Sequence, residues 1–448
     1  MEPRFHSVSL VSEKCKGCTN CIKRCPTEAI RVRDGKANID AERCIDCGEC
    51  IRNCENHAKQ AVGDSLELIS AYKYRIALLA PALLGQFKKE IPPAQILGAF
   101  LQLGFHRVAE AGYGADFTTV ALREYLKSSR ARKPLISSAC PAVVKLIQVR
   151  FPALIANLAP IEAPMVTAAK LARKEAVKED GISSPEIGVF FITPCPAKIT
   201  VIKGGHGIED GIINGAIPIS QIFGGLQSII LSGKAQKVTP RLSKTGVSWS
   251  RAGGEIKAVG IDNQLSVDGI HNVVNVLEEV EMDKLTEVDF IEAQACTGGC
   301  IGGALTVENP FTARMKIQRL VEGENFPPLS HELIEEAAQY YFQGFFNWDY
   351  QVTPKPILPL DRNVAQAIQK IEQIEEVARL LPGLDCGSCG SPNCRALAED
   401  IVQGKAQTLD CVFKLREEVS KLAQDLLKLS QRLPPAMGIS NAKQGGKE

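Results

Sequence analysis

The sequence predicts a multi-domain α/β protein, and three observations carry that expectation. At 448 residues the chain is long enough for roughly three domains. Between Tyr74 and about Phe346, short apolar runs interleave with helical patterns. The cysteines outside that stretch gather at its two ends, eight within the first 54 residues and four after residue 385. Composition is ordinary for globular chains, with 45% hydrophobic and 23% charged residues, so a sizeable core is expected. Basic minus acidic residues give 52 − 51 = +1, which offers no sign of a nucleic-acid or membrane-surface partner. No apolar run reaches the roughly 18 residues that span a bilayer, and the first residues lack a secretory pattern. A cytoplasmic chain without a membrane span is therefore expected. In a reducing cytosol, sixteen cysteines are better explained by metal ligation than by disulfides.

The first module, residues 1–63, contains Cys15-x2-Cys18-x2-Cys21-x3-Cys25-Pro26 and then Cys44-x2-Cys47-x2-Cys50-x3-Cys54. The doubled spacing is that of two-cluster bacterial ferredoxins. Three thiolates of one loop grip one cubane, and the fourth cysteine ligates the other cluster. Cys15, Cys18, Cys21 and Cys54 are expected to hold one [4Fe–4S] cluster, and Cys44, Cys47, Cys50 and Cys25 the other. Zinc is the competing reading, because Cys-x2-Cys also suits tetrahedral zinc. Two adjacent clusters would form an electron relay in a ferredoxin-like α+β module.

A connector at Asp64 to Tyr74 leads into the domain 74–346. RIALLAPALL, EIGVFFITPC and VDFIEAQAC are strand-like, while PAQILGAFLQLG, APMVTAAKLARKEAVKE and GIHNVVNVLEEV are helical. Cys140, Cys195, Cys296 and Cys300 lie where strand-like runs meet loops, in ISSACPAV, ITPCPAK and EAQACTGGCIGGA. Strand ends in open α/β sheets converge on one crevice. Wide spacing alone would equally suit buried structural thiols. The glycines around Cys300 allow backbone to approach a bulky group, or form a simple tight turn.

Residues 347–362 read as a linker, Pro-rich over Thr353 to Asp361. A small, mostly helical iron–sulfur domain is expected at 363–414, with an amphipathic helix placing Val364, Ile368, Ile371 and Ile374 on related faces. Cys386-x2-Cys389-x4-Cys394 and Cys411 complete the partition 8 + 4 + 4 = 16. They are assigned a third cubane outside the central domain, with zinc again the alternative. Leu415, Val419, Leu422, Leu426, Leu429 and Leu433 step by 4, 3, 4, 3, 4, an a/d seam over 415–433. That seam predicts either a homodimer or partner helix, or packing against its own domain. A polar tail, 434–448, follows.

At its three central motifs, in order, and with the preceding ferredoxin module, the sequence resembles the [FeFe]-hydrogenase family. The resemblance implies a two-lobed α/β domain holding an H-cluster: a [4Fe–4S] cubane joined to a two-iron unit that carries CO, cyanide and a dithiolate. It implies that Cys140, Cys195, Cys296 and Cys300 hold the cubane, with Cys300 bridging to the two-iron unit. Lys198 matches the lysine that hydrogen-bonds a cyanide, and Ala80 and Pro81 match the wall beside the dithiolate. The C-terminal motif resembles a small [4Fe–4S] domain of some sensory hydrogenases and corrinoid iron–sulfur proteins.

The family's fast members carry a proton-passing cysteine before the first cubane ligand, where this chain has Ala139. Ungapped reading places Tyr125, Ala163 and Val201 at the remaining relay positions, and Thr193 and Gln294 where methionines stand. A positioned acid or base is worth ~10²–10⁴-fold. The expected function is therefore slow H₂ interconversion with protons and electrons, in a sensory or regulatory role. Ferredoxin or another redox protein is the expected electron partner, and a signalling partner would supply output. The alternatives are a metabolic, ferredoxin-linked hydrogenase and a non-enzymatic electron-transfer or assembly protein.

Overall fold

The computed structural model describes residues 5–128, 130–204, 209, 211–323, 326–355, 360 and 363–432. The chain forms two compact units, Met1–Ile30 with Gly35–Ile357, and Arg31–Asp34 with Leu358–Glu448. The architecture is mixed α/β in several parts, as the sequence predicts.

In the first unit the apolar runs become parallel strands. One sheet has the order Arg107–Glu110, Tyr74–Leu79, Ile187–Thr193 and Gly215–Pro218, all parallel. A second has the order Gln264–Asp268, Phe290–Gln294 and Leu135–Ile136, also parallel. All seven residues of Ile187–Thr193 are buried. That is why the segment reads as an unbroken apolar run: a parallel strand covered on both faces has no polar side to show.

Helices Pro93–Gln102 and Ile219–Leu231 cover one face of the first sheet through Phe100, Leu226 and Phe190. Helix Pro164–Glu179 covers the other through Met165, Ala169 and Phe191. Helices Pro141–Arg150 and Ile270–Glu281 pack on the second sheet around Leu146, Leu277 and Ile291. Helix Ala111–Lys127 lies directly against Pro164–Glu179, because a Cβ at Gly114 would strike the carbonyl oxygen of Pro164.

Ahead of these sheets, Val8–Leu10 pairs antiparallel with Lys59–Ala61. The two cysteine runs lead into matching short helices, Asn20–Lys23 and Glu49–Arg52, each preceded by a residue with left-handed backbone, Thr19 and Gly48.

Two stretches differ from the sequence reading. The segment read as the start of a linker runs along the domain instead. Asn347 bridges Ile161, Trp348 and Val352 pack on the core, and the Lys355 N–H donates to Gln148 O at 2.9 Å. Its prolines suggested a spacer, but its apolar side chains have surface to cover. Likewise the connector after residue 63 contains a short 3₁₀ turn, Leu66–Ala71, that buries Ile69.

The second unit contains helices Val364–Leu380, Cys394–Val402 and Val412–Ser430. Ile374, Leu381, Leu397, Ala398 and Cys411 form its core. Asn363 and Asn393 cap the first two helices, each accepting from a backbone N–H with its side chain. Val412–Ser430 buries none of its residues, and Leu415, Val419, Leu422, Leu426 and Leu429 are all exposed. The expectation that this face packs on its own domain is not met over the described residues. Leu433 and the tail 434–448 lie outside them. No helix of the described residues is long and apolar enough to cross a membrane.

Phe290 is fully buried at the centre of the second sheet. Phe290→Ala should cost about 3–5 kcal/mol through lost burial and the cavity left behind. A fall in the denaturant midpoint of the first unit, at unchanged slope, would show it.

Candidate functional site

The site is built from the carboxyl ends of both parallel sheets. Ala80 follows Tyr74–Leu79, Cys195 follows Ile187–Thr193, Cys296 follows Phe290–Gln294, and Cys140 lies four residues beyond Leu135–Ile136. These residues, with Pro81, Ala139, Lys198 and Cys300, line one cavity. Its empty volume is about 890 Å³, including the open solvent at its mouth. The sequence therefore separates by 160 positions four thiols that the fold brings together.

Burial pushes the Cys140 thiol up to about 11 and raises those of Cys195 and Cys300, the latter partly offset by Lys198. Burial also opposes the Lys198 ammonium, but the thiolates of Cys300, Cys195, Cys140 and Cys296 outweigh it and hold the lysine charged. Lys198 Nζ is 4.0 Å from Cys300 Sγ. The two directions pull against each other, since the lysine gains from thiolates that burial disfavours. A metal that binds cysteine as thiolate removes the conflict.

Thr193 fixes the loop at Cys195, its hydroxyl accepting from the Cys195 N–H at 3.1 Å and donating to the Cys195 carbonyl at 3.3 Å. Gln294 Oε1, on the cavity wall, is buried without a hydrogen-bond partner among the described residues. Gly299 has φ +92°, and a Cβ there would strike that same oxygen. Four inward thiols, a buried cation and an unpaired amide oxygen around one void fit a cluster bound through cysteine.

The other cysteines fall into groups. Cys25, Cys44, Cys47 and Cys50 surround a second pocket, and Cys47 also lines the first. Cys15, Cys18 and Cys21 are near enough that the charges of Cys18 and Cys15 act on the Cys21 thiol, which burial raises. Cys25 and Cys54 accept equivalent bonds, from the N–H groups of Ala29 and Ala58, each at 3.2 Å. In the second unit Cys389 and Cys394 pack around buried Cys411, while Cys386 is exposed. The Cys394 N–H donates to Asp385 Oδ1 at 2.7 Å.

Of the positions compared with the proton relay, Ala139 faces the main cavity, and Ala163 and Val201 line a neighbouring one. The Tyr125 hydroxyl instead donates to Arg130 O at 3.4 Å. Sequence reasoning missed two carboxyls. Glu255 lines the main cavity and accepts from the Ser137 hydroxyl at 2.7 Å. Glu292 accepts from the N–H groups of Gly253 and Ile256 at 3.0 Å. Burial raises Glu255 well above the carboxylate range, with the charge of Glu292 adding to it, and burial pushes Glu292 up to about 7. The available signal was an acid in the middle of an apolar strand, Glu292 in DFIEAQ.

Comparison with known proteins places this geometry. Residues 73–202 and 214–304 match the family model of the iron-only hydrogenase large subunit, C-terminal domain. The chain belongs, through this domain, to the [FeFe]-hydrogenase family. Residues 7–55 match a 4Fe-4S dicluster domain, and 381–413 match a proposed Fe-S cluster family. The chain is 26% identical over 366 residues to the periplasmic [Fe] hydrogenase large subunit of Nitratidesulfovibrio vulgaris, covering 67% of this chain and 86% of that one. It is 41% identical over 51 residues to a component of the ion-translocating oxidoreductase complex of Rhodobacter capsulatus, spanning 11% of this chain and about a quarter, 27%, of the relative. A solved [FeFe]-hydrogenase, studied for oxygen inactivation of its H cluster, shares the fold with TM-score 0.50 and 14% identity, covering 65% of this chain and 98% of that one. The chain thus joins a hydrogenase-type domain to Fe-S modules, and it spans only about a quarter of the length of the ion-translocating relative that it matches.

Glu292 titrates near 7 in the fold against an ordinary 4.5. The protonated carboxyl therefore favours the folded state; that stability is complete below about 4.5 and is lost as pH rises through about 7. Glu292→Gln stays neutral, so its stability should gain on the wild type as pH climbs across that window. Thermal midpoints of both proteins from about pH 4 to 8 check this, and parallel curves would refute it.

Proposed function

We propose that the chain interconverts H₂ with two protons and two electrons at an H-cluster, slowly, and that this serves H₂ sensing or regulation. The observation that carries the reading is the convergence of Cys140, Cys195, Cys296 and Cys300 with Lys198 and the Ala80–Pro81 wall on one cavity. The four cysteines would hold the cubane, Cys300 would bridge to the two-iron unit, and Lys198 would donate to a cyanide ligand. When bound, the H-cluster supplies the centre at which H₂ is split or formed. Ferredoxin or another redox protein would exchange electrons through the two N-terminal clusters.

The chain's own residues would move the protons. Ala139 has no exchangeable proton, but Glu255 faces the same cavity and is held protonated by burial and by Glu292. Glu255 would give a proton to the cavity and recover one from Glu292, which lies behind it on the strand. Asp268, half-buried and bonded to the Gly298 N–H at 2.7 Å, adds its field to Glu292. This carboxyl pair also favours the second reading, a metabolic ferredoxin-linked hydrogenase. Infrared bands of metal-bound CO and cyanide in the matured protein would support both; their absence after full maturation would exclude both. An H₂-evolution rate equal to that of fast family members measured alongside would favour the metabolic reading. Glu255→Gln should then lower the rate a further ~10²–10⁴-fold with those bands retained, whereas an unchanged rate would remove Glu255 from the proton path.

Four cubane sites, counting the one in the H-cluster, match the partition of sixteen cysteines.

The exposed seam Leu415, Val419, Leu422, Leu426 and Leu429 would pair two copies, or receive a signalling partner's helix. Leu422→Asp with Leu426→Asp should convert a sedimenting dimer to monomer. A monomer both before and after the change would end the dimer proposal.

A further inference from the structure

Between the two pockets lies a cation that the reading above leaves unused. Arg52 ends the short helix Glu49–Arg52, two residues after Cys50 and two before Cys54. One of its terminal nitrogens donates to Cys296 Sγ at 3.5 Å and to Gly302 O at 3.3 Å, while the other meets Glu49 Oε2 at 2.8 Å. Glu49 is itself held, accepting from the Asn53 side-chain amide through Oε1 at 2.8 Å. The guanidinium is thus anchored at one end to the ferredoxin-like module and aimed at a thiol of the hydrogenase cavity at the other. A Cβ at Gly48, just before this helix, would strike Ala304 and crowd Pro196, so only glycine lets the helix lie this close.

We propose that Arg52 is a positioning residue that raises the reduction potential of the cubane at Cys140, Cys195, Cys296 and Cys300. The proposal rests on the assignment of Cys296 as a cubane ligand. Hydrogen bonds to ligand sulfur and nearby positive charge stabilise the reduced, more negative cluster. Across the gap, the cluster assigned to Cys25, Cys44, Cys47 and Cys50 has neighbours of both signs: the carboxylate of Asp46, buried 3.8 Å from Cys44 Sγ and held by Lys145, His6 and the N–H groups of Ser7 and Val8, and the Lys59 ammonium, whose charge acts on the Cys50 thiol. The same cavity wall carries Cys47 and Cys296, so the two environments meet across one electron-transfer step.

The test uses the full chain with all clusters reconstituted and without the two-iron unit. EPR-monitored redox titration follows the signal that Cys296→Ser abolishes. Arg52→Met should lower the midpoint of that signal by at least tenfold in the reduction equilibrium, about 59 mV for a one-electron couple. Glu49→Gln, which frees Arg52 from its counter-charge, should shift it the other way, and Arg52→Lys should fall between Met and wild type. Midpoints unmoved in the variants that retain the cluster, or moved in the same direction by Arg52→Met and Glu49→Gln, would overturn the role of Arg52. If Arg52→Met fails to hold the cluster, Glu49→Gln and Arg52→Lys decide by the same signs. If Cys296→Ser instead keeps every signal and its full iron content, the ligand assignment fails and the proposal falls with it.

Discussion

The structure depends on one constraint: polar, ionisable groups are buried where two parallel sheets end. Four thiols and a lysine ammonium face a common cavity, and none of them is at ease there alone. Parallel strands make such an arrangement available, because every strand of a sheet delivers its carboxyl end to the same side. The strands can be unbroken apolar runs while the chemistry sits one to four residues beyond them, as at Ile187–Thr193 and Cys195. Stability and reactivity are thereby placed on adjacent but separate residues.

Charge around this cavity is distributed by element. Lys198 lies in the first turn of the helix that follows Cys195, Arg52 reaches in from the ferredoxin-like module, Glu255 comes from the short helix Gly254–Val259, and Glu292 from the second sheet. Cations face sulfur, where negative charge accumulates. Burial raises both carboxyls, Glu292 to about 7 and Glu255 well above the carboxylate range. An acid hydrogen-bonded to Ser137 thus lies on the same cavity wall as Ala139.

Much of this was legible in the sequence wherever ligand spacing is local. The doubled Cys-x2-Cys-x2-Cys-x3-Cys run is a loop geometry written in consecutive residues. The strands around Leu78, Phe191 and Ile291 were legible because doubly covered strands must be apolar throughout. Glu292 was hidden because one acid inside such a run looks like an interruption until its burial and its two backbone donors are known. Arg52 was hidden because a basic residue near cysteines is usually solvated; its partners Cys296 and Gly302 lie about 250 positions away. The packing of 347–352 was hidden because nothing local shows that Trp348 finds a surface.

The sequence by itself determined which residues are able to ligate metal, where they gather along the chain, and that the central domain alternates strand and helix. Those facts follow from side-chain chemistry and short-range periodicity. Only the tertiary structure decided that Cys140, Cys195, Cys296 and Cys300 share one cavity, which acids and cations face it, and that the seam of Val412–Ser430 is left open. These depend on the order and register in which distant strands pair, as Gln294 with Asp268 and Ile291 with Ile136. Pairing of that kind is fixed by burial of the whole sheet, which no local stretch of sequence contains.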